Sequence, residues 1–561
     1  MLRRGPRSSV PPARTSLLPG GGARHRRPGR GTSFRPPRER RLPGGPLLLV
    51  LLLLAGAGAG AYVLLRAHTA DTSRRDAATR FVRAWDREDY AAMWRATSTS
   101  SRTAHHLRGF EEAYRAAAKA AGVTRVRTGA LGRTKDGAAP VPVVVTTKRF
   151  GTLRGVVRLP LEGRGKDAGV RWDASLRLPG LRHGEAVKLR HGAPPTRGKI
   201  FAADDSPLDA DTLGASIAGT VGPPATGLQR LYADRLGGAP SQRLLFGDRE
   251  IRKIAAVPGQ NLHTTIRPAL QRAAAAALGG RLGGVAVIRP RNGAVLAVAG
   301  IAVSAPQPPG STFKIITLST ALQKGIASPS SSYPVRTFAV LSGTKLRNAS
   351  NEACGGSLTN AFAVSCNSVF APLGARLGAK TLVASARRFG FGETPKIPAI
   401  KPSTIADAKD LRDDLAVGAA AIGQERDLAT PLEMATVGAT IGAGGVRARP
   451  HLGRRDPVVR KRVIGERVAH QVRAMMLQVV RSGTGTAAAL PGVEVAGKTG
   501  TAELRPTADG TPDPKNTDAW FVAFAPANDP KVAVAVMLVG AGQGGASAAP
   551  IARKVLAAAL G

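Results

Sequence analysis

The hydrophobic pattern changes character several times along the 561-residue chain. Residues 46–65, PLLLVLLLLAGAGAGAYVLL, are twenty apolar positions without a charge. At 1.5 Å per residue that run matches a bilayer core about 30 Å thick. From Ala77 to Thr97, Phe81, Val82, Trp85 and Met93 fall at helical spacing, and a second helix is expected over Phe110 to Ala121. Short runs with strand character follow in VPVVVTT, GVVRLPL and VRWDASLRL, separated by glycine and charged turns. This first module, Asp71 to about Leu189, reads as helices on a curved sheet, an α+β unit without a catalytic cluster.

A Pro/Gly-rich boundary, HGAPPTRGKIFAADDSP at 191–207, opens a connecting region that reaches about Gln260. Beyond it, GGVAVIRPRNGAVLAVAG (283–300) reads as two apolar strands around an Asn-Gly turn. A long helical section is expected over about 312–482. In it, Thr430 as N-cap, Pro431 at N1 and Glu433 at N3 mark one helix start. Strand character returns in VEVAGKTGTAEL, DAWFVAFAP and KVAVAVMLVG, and APIARKVLAAAL closes as a helix. Strands at both ends with helices between them predict one antiparallel sheet assembled from distant segments.

Charge then gives the apolar run a direction. Residues 1–45 hold twelve arginines, eight prolines, eight glycines and a single acid, Glu39, a composition that buries nothing and is expected to stay disordered. Arginines on that side place it in the cytoplasm and everything after about Ala67 outside. A cleaved signal peptide is the rival reading, since AGAGAGA offers small residues to a peptidase. The formal net charge of +44 then reads as a topology signal plus an arginine-biased outer surface, and a nucleic-acid partner is not expected. The two cysteines, Cys354 and Cys366, both lie outside. A disulfide is expected on compartment grounds, with two unrelated buried thiols as the alternative. No histidine or cysteine spacing matches a metal site, so neither metal nor cofactor is expected.

The chemistry concentrates in three short motifs. Ser311 follows Pro308-Pro309-Gly310 and opens the helical run STFKIITLSTALQK. Its hydroxyl is therefore expected at a helix N-terminus, where free N–H groups favour developing negative charge. Lys314 lies on the same helix face, and Phe313, Ile315 and Ile316 would desolvate its amine, lowering its pKa and making it a base for the serine. Ser342-Gly-Thr-Lys345 repeats the spacing with no helix behind it, so spacing alone is weak. Ser365-Cys366-Asn367 supplies a hydroxyl that can relay a proton and an amide that can hold a substrate. Lys498-Thr499-Gly500-Thr501, on a strand, can anchor a substrate carboxylate and let a backbone approach at Gly500. The N–H groups of Ser311 and Thr501 together make a candidate oxyanion hole. Gly492 to Thr499 also fits G-x-x-x-x-G-K-[ST] letter for letter, but its inner residues VEVA alternate as a strand does, which is wrong for a phosphate loop.

With PGSTFK, SCN and GKTGTAE in that order, the chain resembles the class B penicillin-binding proteins, membrane-anchored peptidoglycan D,D-transpeptidases. GQNLHTTIRPALQ, GQERDLATPLEMA and AWFVAFAP extend the likeness over about 261–561, and the region after the anchor is similar to the NTF2-like N-terminal domain of MecA-type members. The resemblance implies a multidomain α+β chain: tail 1–45, transmembrane anchor 46–66, NTF2-like domain 71–190, connecting domain 191–260 and transpeptidase domain 261–561. The last would carry a five-stranded antiparallel sheet with helices on both sides, as in serine β-lactamases.

It also implies a Ser311 acyl-enzyme formed from a D-Ala-D-Ala stem peptide, with release of D-alanine, cross-linking to a neighbouring stem, and inhibition by β-lactams. Lys314 would be the base, Ser365 the relay, Asn367 a substrate contact, and Lys498, Thr499, Gly500 and Thr501 the carboxylate end of the site. A SEDS-type membrane glycosyltransferase is the implied partner. A β-lactamase, a β-lactam sensor and an inactive wall-synthesis scaffold remain as alternatives. Three positions depart from the family pattern: Arg267 where TTID has aspartate, Glu425 where GQG has glycine, and Gln229 where glutamate is common.

Overall fold

A computed structural model describes residues 45–424, 426–504 and 513–561, and for residues 45–60, 64 and 65 the backbone alone. The basic tail and Glu425 lie outside the described residues, as do most side chains of the expected anchor. The backbone of that segment forms the first half of a helix, Gly45–Asp86. Among the described residues no helix is long and apolar enough to cross a membrane.

The described residues separate into two compact units, one of residues up to 107, 130–141 and 158–172, the other of residues 108–129, 142–157 and those from 173 onward. In the first, the helix ends where Glu88 takes a positive φ of 56°. Asp89 then caps the next turn, Tyr90–Arg95, accepting from Ala92 N–H at 2.9 Å. The pattern from 77 to 97 is thus two helices broken at a charged turn. Phe81, Trp85 and Met93 are buried, as the spacing predicts.

The expected strand over VRWDASLRL is mostly absent. Only Gly169–Val170 pairs, with Leu161 and Glu162, because Asp173 accepts from Ser175 N–H at 2.8 Å and winds residues 174–177 into a 3₁₀ turn. In the second unit, helix Leu107–Ala121 buries Phe110, Tyr114, Ala117 and Ala121 on one face, and Val123–Thr128 pairs antiparallel with Val143–Thr147.

The connecting region has a three-stranded antiparallel sheet, Val187–His191, Gln242–Phe246 and Arg249–Ile254. Its first strand runs across the expected boundary at 190. Ile200–Phe201 pairs in parallel with Leu262–His263.

The remaining residues build around a five-stranded antiparallel sheet of β1 (Gly283–Ile288), β2 (Val295–Gly300), β3 (Ala496–Glu503), β4 (Thr517–Ala525) and β5 (Val532–Leu538). Their order is β2-β1-β5-β4-β3, so a hairpin and a distant meander join through β1 and β5. All residues of β1, β4 and β5 are buried, and apart from Thr517 and Asp518 of β4 these strands are apolar runs rather than alternating ones.

The two faces feed separate cores. Trp520, Val522, Phe524, Ala535 and Met537 enter one, with α2 (Lys314–Gln323), α4 (Pro431–Gly442) and α5 (Glu466–Arg481). Phe521, Ala523, Val534 and Val536 enter the other, with α1 (Pro268–Leu278) and α6 (Gly544–Leu560).

The expected helical section 312–482 is not continuous. Two small sheets interrupt it, Ser332–Arg336 with Cys354–Ser357 and Phe338–Leu341 with Thr344–Arg347, before α3 (Asn367–Leu377). The decoy Ser342-Gly-Thr-Lys345 is the hairpin turn of the second, with φ of 46° at Ser342 and 78° at Gly343. Its lysine lies over the Phe338 ring at 4.9 Å rather than beside a serine.

Candidate active site

Ser311 sits in a 3₁₀ turn, Gly310–Phe313, that leads directly into α2. The turn can press against β3 because glycines line the approach. A Cβ on Gly310, whose φ is +51°, would meet the Thr501 carbonyl oxygen at 2.6 Å. One on Gly500 would meet Thr312 Cγ2 at 2.8 Å and the Pro309 oxygen at 2.9 Å. β3 is the sheet's edge strand. N–H and C=O of one strand residue point to the same side, so the contact of the Thr501 carbonyl with the turn also turns its N–H toward Ser311.

Lys314 is fully buried on the first turn of α2. Its Nζ donates to the Ser365 carbonyl at 2.7 Å and to Asn367 Oδ1 at 2.7 Å, with Ser365 Oγ at 3.4 Å. Burial first, and the nearby Lys498 charge second, push its pKa well below the ordinary lysine value. A neutral amine has two N–H donors, and the carbonyl and amide oxygens use both. Its lone pair is left to accept a hydroxyl proton. No direct Ser311–Lys314 hydrogen bond is present, and the lysine is held from the Ser365–Asn367 side.

Lys498 is equally buried, on β3, and burial lowers its pKa to about 7. It donates to Ser365 Oγ at 2.8 Å and to the Thr499 carbonyl at 2.9 Å. Ser365 therefore stands between the two amines. Its φ of 66° is the left-handed region that a serine enters only at a cost of about 1–2 kcal/mol. That conformation turns its carbonyl to Lys314 while its hydroxyl meets Lys498. Asn367 opens α3, and its Nδ2 donates to the Arg347 carbonyl at 3.0 Å.

The eight motif residues thus meet at one place although Ser311, Ser365 and Lys498 are far apart in sequence. Cys354 and Cys366 are disulfide-bonded, with Cα atoms 5.8 Å apart, and Cys366 is the residue between Ser365 and Asn367. The phosphate-loop alternative fails on geometry. Gly497, Lys498 and Thr499 pair with Ala523, Val522 and Phe521 in an antiparallel ladder, and the strand runs on to Glu503 where a phosphate loop would open a helix. Among the described residues no histidine, cysteine or carboxylate cluster suits a metal.

Several neighbours escaped sequence reasoning. Thr484 Oγ1 lies 2.5 Å from Thr499 Oγ1, Gly544 N–H donates to Thr501 Oγ1 at 3.4 Å, and Asn348 Oδ1 accepts from Ser368 N–H at 2.7 Å. Gln543 Nε2 reaches Ser350 Oγ at 3.5 Å. None belongs to a motif. Only the fold brings them in, and Gly483-Thr484-Gly485 was the nearest thing to a signal.

Comparison with known proteins places the chain in a family. Residues 283–557 match the penicillin binding protein transpeptidase domain, and 73–185 the NTF2-like N-terminal transpeptidase domain. The peptidoglycan D,D-transpeptidase PbpA of Mycolicibacterium smegmatis is 36% identical over 410 residues, 61% of this chain and 81% of that one. The crystal structure of the D,D-transpeptidase domain of a peptidoglycan glycosyltransferase from Eggerthella lenta superposes with a TM-score of 0.56 at 30% identity. It covers 66% of this chain and 99% of its own. The penicillin G acyl-enzyme complex of penicillin-binding protein A from M. tuberculosis does so with a TM-score of 0.55 at 29% identity, over 65% and 100%. The chain belongs to the penicillin-binding protein transpeptidases that carry an NTF2-like N-terminal domain.

Proposed function

We infer that the protein is a peptidoglycan D,D-transpeptidase that binds penicillin, and that Ser311 is its nucleophile. The observation that carries the reading is Lys314, fully buried one turn after Ser311 and held by the Ser365 carbonyl and Asn367 Oδ1, with burial depressing its pKa.

In the acylation step the Ser311 hydroxyl proton passes to Lys314 Nζ as Oγ bonds to the carbonyl carbon between the two D-alanines. The oxyanion so formed faces the N–H groups of Ser311 and Thr501, where preorganised donors are worth most. The C–N bond then breaks, and the leaving amine of D-alanine takes a proton through Ser365, which touches both lysines. Lys498, Thr499 and Thr501 hold the terminal carboxylate, Gly500 keeps the strand close, and Asn367 offers its amide to the peptide. An acceptor amine from a neighbouring stem attacks the Ser311 ester, its proton leaves by the same relay, and Ser311 is restored.

The chain is further proposed to be held by one helix, residues 46–66, with the arginine-rich tail in the cytoplasm and the catalytic domain outside. An NTF2-like domain over 71–190 and a connecting domain over 191–260 would stand between them, with a SEDS-type glycosyltransferase as partner. Net positive charge before the apolar run supports that orientation.

Labelling the full chain with fluorescent penicillin tests the enzyme reading. A stable adduct is expected, and it should be lost in Ser311→Ala. Rapid release of the label would point to hydrolysis, and no adduct on folded protein would reduce the chain to a scaffold.

A further inference from the structure

A cavity of about 530 Å³ lies away from the catalytic cleft and shares no residue with it. Its walls come from Ala203–Asp204 in the connecting region, the start of α1, the β1–β2 turn and residues 451–458. These walls are fixed to one another by backbone hydrogen bonds. Arg267 N–H donates to Leu296 O at 2.9 Å, Val295 N–H to His451 O at 3.0 Å, and Thr265 N–H to Leu452 O at 2.8 Å. The cavity is therefore formed before any ligand arrives, as small-molecule sites usually are.

Its charge is one-sided. Arg267, Arg289 and Arg454 line it against a single carboxylate, Asp204, which Ser206 holds ionised through its hydroxyl and N–H. Arg454 is paired outside the cavity with Asp205, whereas Arg267 and Arg289 have no carboxylate partner among the described residues. Buried His451 completes the wall. Its Nδ1 faces the Gly453 carbonyl at 3.0 Å, and its Nε2 has no hydrogen-bond partner.

Arg267 is the residue that departs from the family's TTID pattern. It occupies the N-cap of the eleven-residue helix α1 and makes no capping hydrogen bond. An aspartate there would cap the helix and neutralise its positive end. Arginine leaves the dipole uncapped, and its guanidinium, which spends one N–H on the Ala559 carbonyl at 3.3 Å, adds positive charge at the cavity wall with its remaining N–H groups unspent. Guanidinium forks and a helix N-terminus are each suited to a tetrahedral oxyanion. Leu296, Ala294 and Val458 provide apolar wall for the body of a molecule that carries it.

We propose that this cavity is a binding site for an organic phosphate, the phosphate resting among Arg267, Arg289 and the N-terminus of α1. The phosphate can come from a lipid headgroup or from a soluble or polymer-borne phosphoglycerol, and the test separates the two.

Radiolabelled sn-glycerol 3-phosphate is titrated into the purified full chain by equilibrium dialysis. Saturable binding is expected, weakened tenfold or more in Arg267→Asp and in Arg289→Gln and unchanged in Arg108→Gln. Fluorescent penicillin labelling of every variant reports that each is folded. Competition by dihexanoyl phosphatidylglycerol but not dihexanoyl phosphatidylcholine would assign the site to lipid headgroups. Competition by neither would assign it to a soluble or polymer-borne phosphate. The proposal is overturned if binding does not saturate, if both cavity variants bind as the parent does, or if Arg108→Gln loses as much as they do.

Discussion

Ser365 divides the work of the two buried lysines. Lys314 must be neutral to take a proton, and burial together with the Lys498 charge keeps it so well below the usual lysine range. Lys498 must be charged to hold a carboxylate, and its pKa of about 7 means that charge fades as pH rises through neutrality. The two steps of β-lactam reaction should therefore have separate pH dependences. The dissociation constant for intact drug is expected to rise above about pH 7, while the acylation rate constant follows a separate midpoint and falls as pH drops through the depressed pKa of Lys314. Stopped-flow acylation over a range of drug concentrations measures both, and one shared midpoint would contradict this division. Ser311 and Lys314 were legible as a pair, since a helix start and apolar flanks are local properties. That Lys314 is held by the Ser365 carbonyl was not, because it depends on a left-handed serine that no pattern announces.

Among the elements, the loop ahead of α3 is held at both ends of its function. The disulfide joins Cys366 to Cys354, the first residue of the strand that pairs with Ser332–Arg336. Opening it in Cys354→Ser leaves Ser365 and Asn367 on a looser loop. Acylation by penicillin is expected to slow about tenfold, equivalent to about 1.4 kcal/mol, while parent protein treated with reductant slows equally. Gel-resolved labelling rates check both, and unchanged rates would make the bond irrelevant to the site.

Helix α4 offers a second test. Its start was legible: Thr430 accepts from Glu433 N–H at 3.2 Å and Pro431 stands at N1. The reciprocal bond of a full capping box is not made: Thr430 N–H donates to Ser403 Oγ at 3.0 Å and the Glu433 carboxyl is buried near Arg447. Burial raises Glu433 to about 7 from 4.5, and Arg447 only partly offsets it. A carboxyl raised on folding contributes its full stability below pH 4.5 and loses it as pH climbs to about 7. That swing is on the order of 3 kcal/mol. Glu433→Gln should flatten the melting temperature between pH 5 and 8, as scanning calorimetry would show. A parallel pH slope in parent and variant would exclude this group as the source.

For the whole molecule, the antiparallel sheet built from distant segments was legible from apolar runs at both ends of the domain. Its strand order was not, since pairing of β1 with β5 depends on what packs on each face. Continuous burial of β4 also hides the alternation that sequence uses to assign faces: Trp520 and Phe521 look alike in a run of apolar letters yet serve opposite cores. The small sheets inside the expected helical stretch went unseen because their strands are four or five residues long, and two of them, Ser332–Arg336 and Thr344–Arg347, are largely exposed. Arg267 shows the opposite case. A single letter out of pattern marked a cavity that no motif describes.

The pairing of β1 with β5 has a consequence for how the protein comes into being. Residues 283–288 must wait for 533–538 before the centre of the sheet exists. Loop closure over such a span is slow, and nothing local rewards it early. The Ser311 turn leans on β3, which reaches β1 only through β4 and β5. Penicillin labelling of a growing chain should accordingly be all or none. Chains released before residue 532 are expected to take up no label however long they are given, and a stepwise gain in labelling across a series of C-terminal truncations would refute it. The nucleophile is written early in the chain, but it becomes reactive only when the last strand is in place.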